Sequence, residues 1–460
     1  MWSAGEHTMS KHEKFNFKSL DDIKNKVNEL GLNIDFSEDF SPLWQPKKIG
    51  GKTAPNSMAV LPMEGCDSNT DGSPSDLVYQ RYTKLAAGGF GLIWWEANAV
   101  VEEGKANELQ MMLTASNRSK FKALLDEVNR IAMEKWNHKP LHILQLTHSG
   151  RYSRPEGHIA RPLVPQHDPI LDKGNEIIVT DDYLDGLTSR YVEAALLAKE
   201  VGFDGVDIKA VHRYLVSELL ASHTREGKYG GSFENRSRFL LQTIKAVKAA
   251  VGSDFIVASR FNVYDAHPYP YGFGVDKEDM WRFDETEPVM LVKAMIENGV
   301  ELLSNSGGNP YYIYPQVTRP FDQSSYGIPT PEEHPLESIQ RLFYLTSVIQ
   351  KAAGDIPVVG NGYSWLRQYL PYVGSANLKA GRCSMVGFGR MSFAYPDAPK
   401  DLKENGELDP RKVCIACSKC TQIMRDHGTT GCVVRNSAIY APLFKKFNDE
   451  ANIRENREVK

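Results

Sequence analysis

The sequence predicts an α/β protein, a (β/α)8 TIM barrel followed by a cysteine-rich C-terminal segment. Three observations predict it. Eight short, nearly continuous apolar runs are spaced along residues 57–398, as parallel strands covered on both faces require. Longer segments with apolar residues at helical spacing separate them. Four of the six cysteines crowd between positions 414 and 432, beyond the last run. A barrel of this kind takes about 250 residues, more with insertions, and the span accommodates one.

The elements follow in order. Residues 1–40 read as an N-terminal extension. Its opening, MWSAGEHTMSKHEKFNFK, is polar and lacks the apolar core of a secretory signal; Met9 is an alternative start to Met1. A short helix fits 20–30. The barrel is assigned to 41–400, with SMAVLPM (57–63) and FGLIWWE (90–96) as its first strands. A helix over 117–136 leads to LHILQLT (141–147). Thr180 is a helix N-cap, and Leu184, Leu187, Tyr191, Ala194 and Ala198 share one face before GVDIKAV (205–211). The segment 235–251 sets Phe239, Ile244, Val247 and Val251 on one side and leads to DFIVASRF (254–261). Helices over 286–298 and 336–353 precede VELLSNS (300–306) and IPVVGNG (356–362), and CSMVGFG (383–389) is the last strand. Two inserts, 264–285 and 309–335, follow strand ends, which in a barrel is the catalytic face, where they cover a pocket. Residues 401–460 form the cysteine-bearing segment.

The charge balance narrows the function. Lys and Arg number 54 against 58 Asp and Glu, a net charge of −4, so no basic field recruits nucleic acid. No stretch of ~18 apolar residues predicts a membrane span. A cytoplasmic location is expected, where thiols stay reduced and clustered cysteines signal metal. The spacing Cys414-x2-Cys417-x2-Cys420-x11-Cys432 offers four thiolates, the usual complement of an iron–sulfur cluster. Zinc is the competing occupant, although structural zinc more often uses two separated Cys-x2-Cys pairs. Cys66 and Cys383 stand apart and read as small buried side chains.

Two further stretches carry chemistry. The last strand-to-helix turn, VGFGRMSF (386–393), offers backbone N–H groups and the Arg390 fork to a phosphate. Lys209, His212 and Tyr214 cluster at the end of the fourth strand, facing the pocket of a barrel. A cation and an imidazole there stabilise charge on a substrate oxygen, and a tyrosine can give a proton.

PMEG (62–65), WEANAV (95–100), LQLTHSGR (144–151), YGGSFENR (229–236) and FGR (388–390) together resemble the old yellow enzyme family over roughly residues 40–400. The cysteine spacing resembles its iron–sulfur branch, which includes 2,4-dienoyl-CoA reductase and trimethylamine dehydrogenase. The resemblance implies FMN, with Pro62, Met63, Ala97 and Gln145 lining its ring, Arg260 near its pyrimidine, and Gly362, Gly389 and Arg390 at its phosphate. It implies a 4Fe–4S cluster on the four cysteines, close to the flavin edge. His212 matches the second member of the substrate-anchoring pair, Tyr214 the proton donor, and Lys209 departs from the residue usual at the first anchor. Only 28 residues follow Cys432, so the nucleotide-binding domain of the larger relatives is not expected.

The implied function is reduction of the C=C bond of an α,β-unsaturated carbonyl compound, such as a bulky steroid enone or an aryl acrylate, with NAD(P)H or a donor protein as reductant in an anaerobic cytoplasm. A second reading is an amine dehydrogenase or demethylase, against which Lys209 argues by charge. A third is an electron-transfer subunit of a larger complex. Nothing in the sequence excludes an oligomer.

Overall fold

The computed structural model describes residues 12–310, 314–320, 322 and 330–455. The two candidate start sites, and residues 311–313, 321 and 323–329 of the second insert, lie outside the described residues. Eight strands form a closed parallel barrel: β1 (Met58–Val60), β2 (Leu92–Ala99), β3 (Leu141–Thr147), β4 (Gly205–Ile208), β5 (Ile256–Tyr264), β6 (Leu302–Gly307), β7 (Val358–Gly360) and β8 (Met385–Phe388). Each pairs with its neighbour in sequence, and β8 closes on β1 through Val386–Met58, Gly387–Ala59 and Phe388–Val60. All eight predicted strands are present. β1, β4 and β7 end earlier than their apolar runs, because the chain leaves the ladder there to build the loops of the mouth.

The helices surround the barrel: α1 (Leu20–Glu29), α2 (Asp76–Gly88), α3 (Arg118–Trp136), α4 (Asp181–Val201), α5 (Phe233–Val251), α6 (Thr286–Glu297), α7 (Pro335–Ala353) and α8 (Leu370–Lys379). Ser75, Thr180 and Ser232 cap α2, α4 and α5, each accepting the N–H three residues on. Sequence reasoning misses α2 and α8. In α8 seven of ten residues are buried, which erases the one-sided period that reveals a surface helix.

The barrel interior is filled rather than open. Leu92, Trp94, Ile143, Ile256 and Met385 pack together inside it; fully burying a large apolar side chain is worth roughly 1.5–3 kcal/mol. An antiparallel hairpin, Lys47–Ile49 with Lys52–Ala54, adds Ile49 and Ala54 to that packing. Lys52 Nζ meets Asp204 Oδ1, just before β4, at 2.6 Å, so the hairpin plugs the N-terminal end.

Beyond the barrel come α9 (Ala398–Asn405), α10 (Lys419–Arg425) and α11 (Ser437–Arg454). Val413, Cys414 and Ala416 join the main core, while Ile423, Val433 and Tyr440 make a small core of their own. The segment is fastened to the mouth: Thr430 N–H donates to Gly65 O at 2.6 Å, Asn107 Nδ2 to His427 O at 3.2 Å and Arg425 Nη2 to Pro310 O at 2.6 Å. No helix among the described residues is long and apolar enough to cross a membrane.

Candidate active site

The loops at the C-terminal strand ends surround one cavity of about 970 Å³ including its open mouth. Every strand except β2 sends a described residue to its wall or the loop after it does so. Pro62, Met63, Gln145, Arg260, Gly362, Gly389 and Arg390, expected at the flavin, line it together with Lys209, His212 and Tyr214, expected at the substrate. Ala97 is not on this wall. It is buried in the bulge that shifts the register of β2 between Trp95 and Asn98, and its carbonyl accepts from Gln110 Nε2 at 3.2 Å.

Asp207, inside β4, organises the floor. Its carboxylate accepts from Gln145 Nε2 at 2.6 Å, Trp94 Nε1 at 2.9 Å and the Arg260 backbone N–H at 2.8 Å. Burial pushes its pKa up to about 6 against these bonds. Burial also pulls Arg260 down to about 10, with Asp207 opposing. Arg260 Nε and Arg390 Nη1 are buried with no hydrogen-bond partner. Arg390 Nη2 donates to Pro320 O at 3.3 Å. Unsatisfied buried guanidinium nitrogens are costly, and an anionic ligand relieves both. The residues therefore fit FMN, whose ring edge and phosphate are both acceptors. Gly362 has φ 92°, a conformation that suits glycine in the turn at that end.

The loop after β4 is bent sharply. His212 has φ 67° and Arg213 φ 59°, each costing about 1–3 kcal/mol. Arg213 offsets this: Nη1 meets Asp265 Oδ2 at 3.0 Å and Tyr271 O at 2.6 Å, and Nη2 meets Asp168 Oδ2 at 3.1 Å. The His212 backbone N–H donates to Asn262 Oδ1 at 3.1 Å. Burial, then the positive charges of Arg260 and Lys209, holds the His212 imidazole well below its usual range. It is neutral at pH 7 and offers one N–H donor.

Glu64 is the residue that sequence reasoning passes over. It is the acid of PMEG, one past Met63, and a charged side chain following a barrel strand is itself a signal of a functional site. Lys209 Nζ meets Glu64 Oε1 at 3.0 Å, and the Tyr214 hydroxyl donates to Glu64 Oε2 at 3.2 Å. Lys209 Nζ also sits 3.8 Å from the centre of the Tyr214 ring. Burial lowers the Lys209 pKa and Glu64 opposes that. Lys209, expected to face the substrate as a bare cation, is thus half of an ion pair.

None of the six cysteines forms a disulfide, and Cys66 and Cys383 are both buried, as expected. Burial pushes the Cys414 and Cys420 thiols up, and the nearby Cys420 and Cys432 add to the first and Cys417 to the second. Ala416 N–H points at Cys414 Sγ at 3.4 Å and Arg435 N–H at Cys432 Sγ at 3.3 Å. Four thiols in one segment, two of them with a backbone donor to sulfur, are a donor set that fits an iron–sulfur cluster, whose sulfurs accept such bonds. Among the described residues no three His, Cys, Asp or Glu side chains converge on a single-ion site. Cys420, Thr421, Met424 and Thr430 line the same cavity as Pro62 and Lys209.

A model of the NADH:flavin oxidoreductase / NADH oxidase family matches residues 42–298. The chain belongs to that family. As a member, it is 29% identical over 426 residues to an NADH oxidase of Thermoanaerobacter brockii, covering 88% of this chain and 59% of the oxidase. It is 32% identical over 282 residues to an NADPH dehydrogenase of Listeria monocytogenes serotype 4b (strain CLIP80459), covering 60% and 77%. Among solved structures, a 2-naphthoyl-CoA reductase complex superposes with TM-score 0.70 at 22% identity, over 89% of this chain and 58% of that one. The old yellow enzyme homologue from Zymomonas mobilis superposes with TM-score 0.59 at 21% identity, over 80% and 94%. The family resemblance and the barrel expected from sequence are both borne out.

Proposed function

We propose that the chain is an FMN- and 4Fe–4S-dependent ene-reductase of the cytoplasm, which reduces the C=C bond of an α,β-unsaturated carbonyl compound with NAD(P)H or a protein donor. One observation carries this reading: His212, Tyr214 and two unpartnered guanidinium nitrogens meet on a single cavity. The nicotinamide donors of the NADH oxidase and NADPH dehydrogenase relatives support it.

FMN would be held by Pro62, Met63, Gln145 and Arg260 at its ring and by Gly362, Gly389 and Arg390 at its phosphate, and when bound it supplies hydride to the substrate β-carbon. Cys414, Cys417, Cys420 and Cys432 would hold the cluster, which supplies single electrons. His212, as a neutral imidazole, donates its N–H to the substrate carbonyl oxygen and draws charge onto it. Tyr214 gives its hydroxyl proton to the α-carbon. The Lys209 ammonium over its ring stabilises the phenolate that results.

The test is anaerobic and direct. Enzyme reduced with NADH or NADPH is mixed with 2-cyclohexenone; flavin reoxidation matched by saturated ketone is expected. Reoxidation by no enone overturns the reading. Oxidation of a tertiary amine instead would install the second reading, which Glu64 favours because it neutralises the cation expected to repel amines.

A further inference from the structure

Glu64 has no role in the chemistry above, yet it is the hub of the substrate end. Its side chain is nine-tenths buried, and the Lys209 side chain is 3% exposed. Three donors meet its carboxylate: Lys209 Nζ at 3.0 Å, the Tyr214 hydroxyl at 3.2 Å and Gln110 Nε2 at 3.4 Å. Glu64, Lys209, His212 and Tyr214 all face the cavity. The chain has therefore filled its own cation with its own anion before any substrate arrives.

That occupation decides which substrates fit. A ligand carboxylate entering this end meets a buried like charge, and like charges held close in a desolvated site repel strongly. It also finds Lys209 already paired. A ketone or aldehyde oxygen carries no net charge and needs only the His212 N–H. We propose that Glu64 is a specificity-determining residue that restricts the cavity to uncharged α,β-unsaturated carbonyl compounds and rejects the corresponding carboxylates. This rests on the reading of the chain as an ene-reductase, and it turns aside the aryl acrylates that the sequence suggests.

Removing the negative charge reverses the preference by a defined route. In Glu64→Gln, Lys209 loses its counterion and faces Arg260, Tyr214 and His212, with Asp207 as the remaining acid. Burial then favours the neutral amine, and a ligand carboxylate takes over the place of Glu64 as counterion. Its binding draws a proton onto Lys209, so affinity rises as the pH falls.

The probes are benzylideneacetone and cinnamate, which share a skeleton and differ in ketone against carboxylate. Their binding to oxidised, FMN-loaded enzyme is followed by calorimetry. The native protein is expected to prefer the ketone by at least about tenfold, about 1.4 kcal/mol. Glu64→Gln should erase or invert that ratio, the more so at the acid end of the range, with proton uptake visible in buffers of different ionisation enthalpy. Glu64→Asp, which keeps the charge, should retain the ketone preference, and Glu64→Gln with Lys209→Met should lose the gain for cinnamate. An unchanged ketone-to-cinnamate ratio in Glu64→Gln overturns the inference, as does a gain that survives Lys209→Met. Flavin content of each variant shows that its fold is intact. Because the readout is binding, ketone preference without enone turnover would sink the ene-reductase reading while leaving the filter in place.

Discussion

At the scale of single residues, the site is governed by buried groups whose charges are already spoken for. Tyr214 is the sharpest test. Tyr214→Phe should slow the step that consumes the enone by ~10²–10⁴-fold, the contribution of a positioned acid, and leave reduction of the flavin by the nucleotide nearly intact. Stopped-flow traces of the two half-reactions check this; an unaltered enone step would assign the proton to another donor. Arg213 gives a second test. Arg213→Ala would remove the guanidinium from Asp168 and Asp265, which are 1% and 0% exposed at their side chains, leaving Asp168 with His267 and Asp265 with Asn262 and the Phe273 N–H. Losing the partner of buried charges costs roughly 3–5 kcal/mol, measurable as a lower urea midpoint, and the strained His212 would lose its support. Lys209, His212 and Tyr214 were legible in the sequence because polar residues closing a barrel strand face the pocket. Glu64 closes a strand by the same rule, but its partner is hidden from the sequence, since the salt bridge runs to a residue 145 positions away.

At the scale of elements, the strands are legible in the sequence because buried parallel strands are apolar along their length, and most helices because one face is apolar. The ends of β1, β4 and β7 were overrun for the same reason: apolar side chains continue past the ladder into the loops. The cysteine segment is an element whose spacing was legible and whose attachment was not. It is tied to the loop after β1 through Thr430 and to the loop after β6 through Arg425, contacts that no local pattern announces. Cys432→Ala is therefore expected to do two things. Iron and acid-labile sulfide, about four of each per chain in the parent, should fall sharply. FMN retention should fall with them, because Cys420 and Thr421 form part of the cavity wall. Stoichiometric zinc without sulfide in the parent protein would contradict the cluster.

For the whole molecule, buried histidines set an acid limit. Burial lowers His142, His223 and His334 to about 4 and His148 to about 3. An unfolded histidine titrates near ~6.5, so unfolding takes up protons as pH falls below that value and stability drops with it. Glu96 and Asp207, both raised to about 6, act in the opposite sense between about 6 and 4. His212 and His138 are also held below their usual range, so the lowered histidines outnumber the two raised acids, unfolding takes up protons on balance, and the melting temperature should fall steadily from about pH 7 to pH 5. A flat profile would show that these imidazoles are solvated. The −4 net charge is readable from composition alone, whereas this balance needs the three-dimensional burial of each ring.

The pairing of β8 with β1 also bears on how the protein is made. The first strand leaves the ribosome with its partner still unwritten, and roughly 330 residues must follow at about 5–20 per second. For roughly 15–65 s the nascent chain carries two bare strand edges, the kind of surface that invites pairing with other chains. The last strand to arrive also brings Gly389 and Arg390, so closing the ring and completing the cavity wall are one event. Gly387 sits at that seam, where an added Cβ would lie 2.2 Å from the carbonyl of Gly360. A methyl group there would leave translation untouched and stop the finished chain at its final fastening.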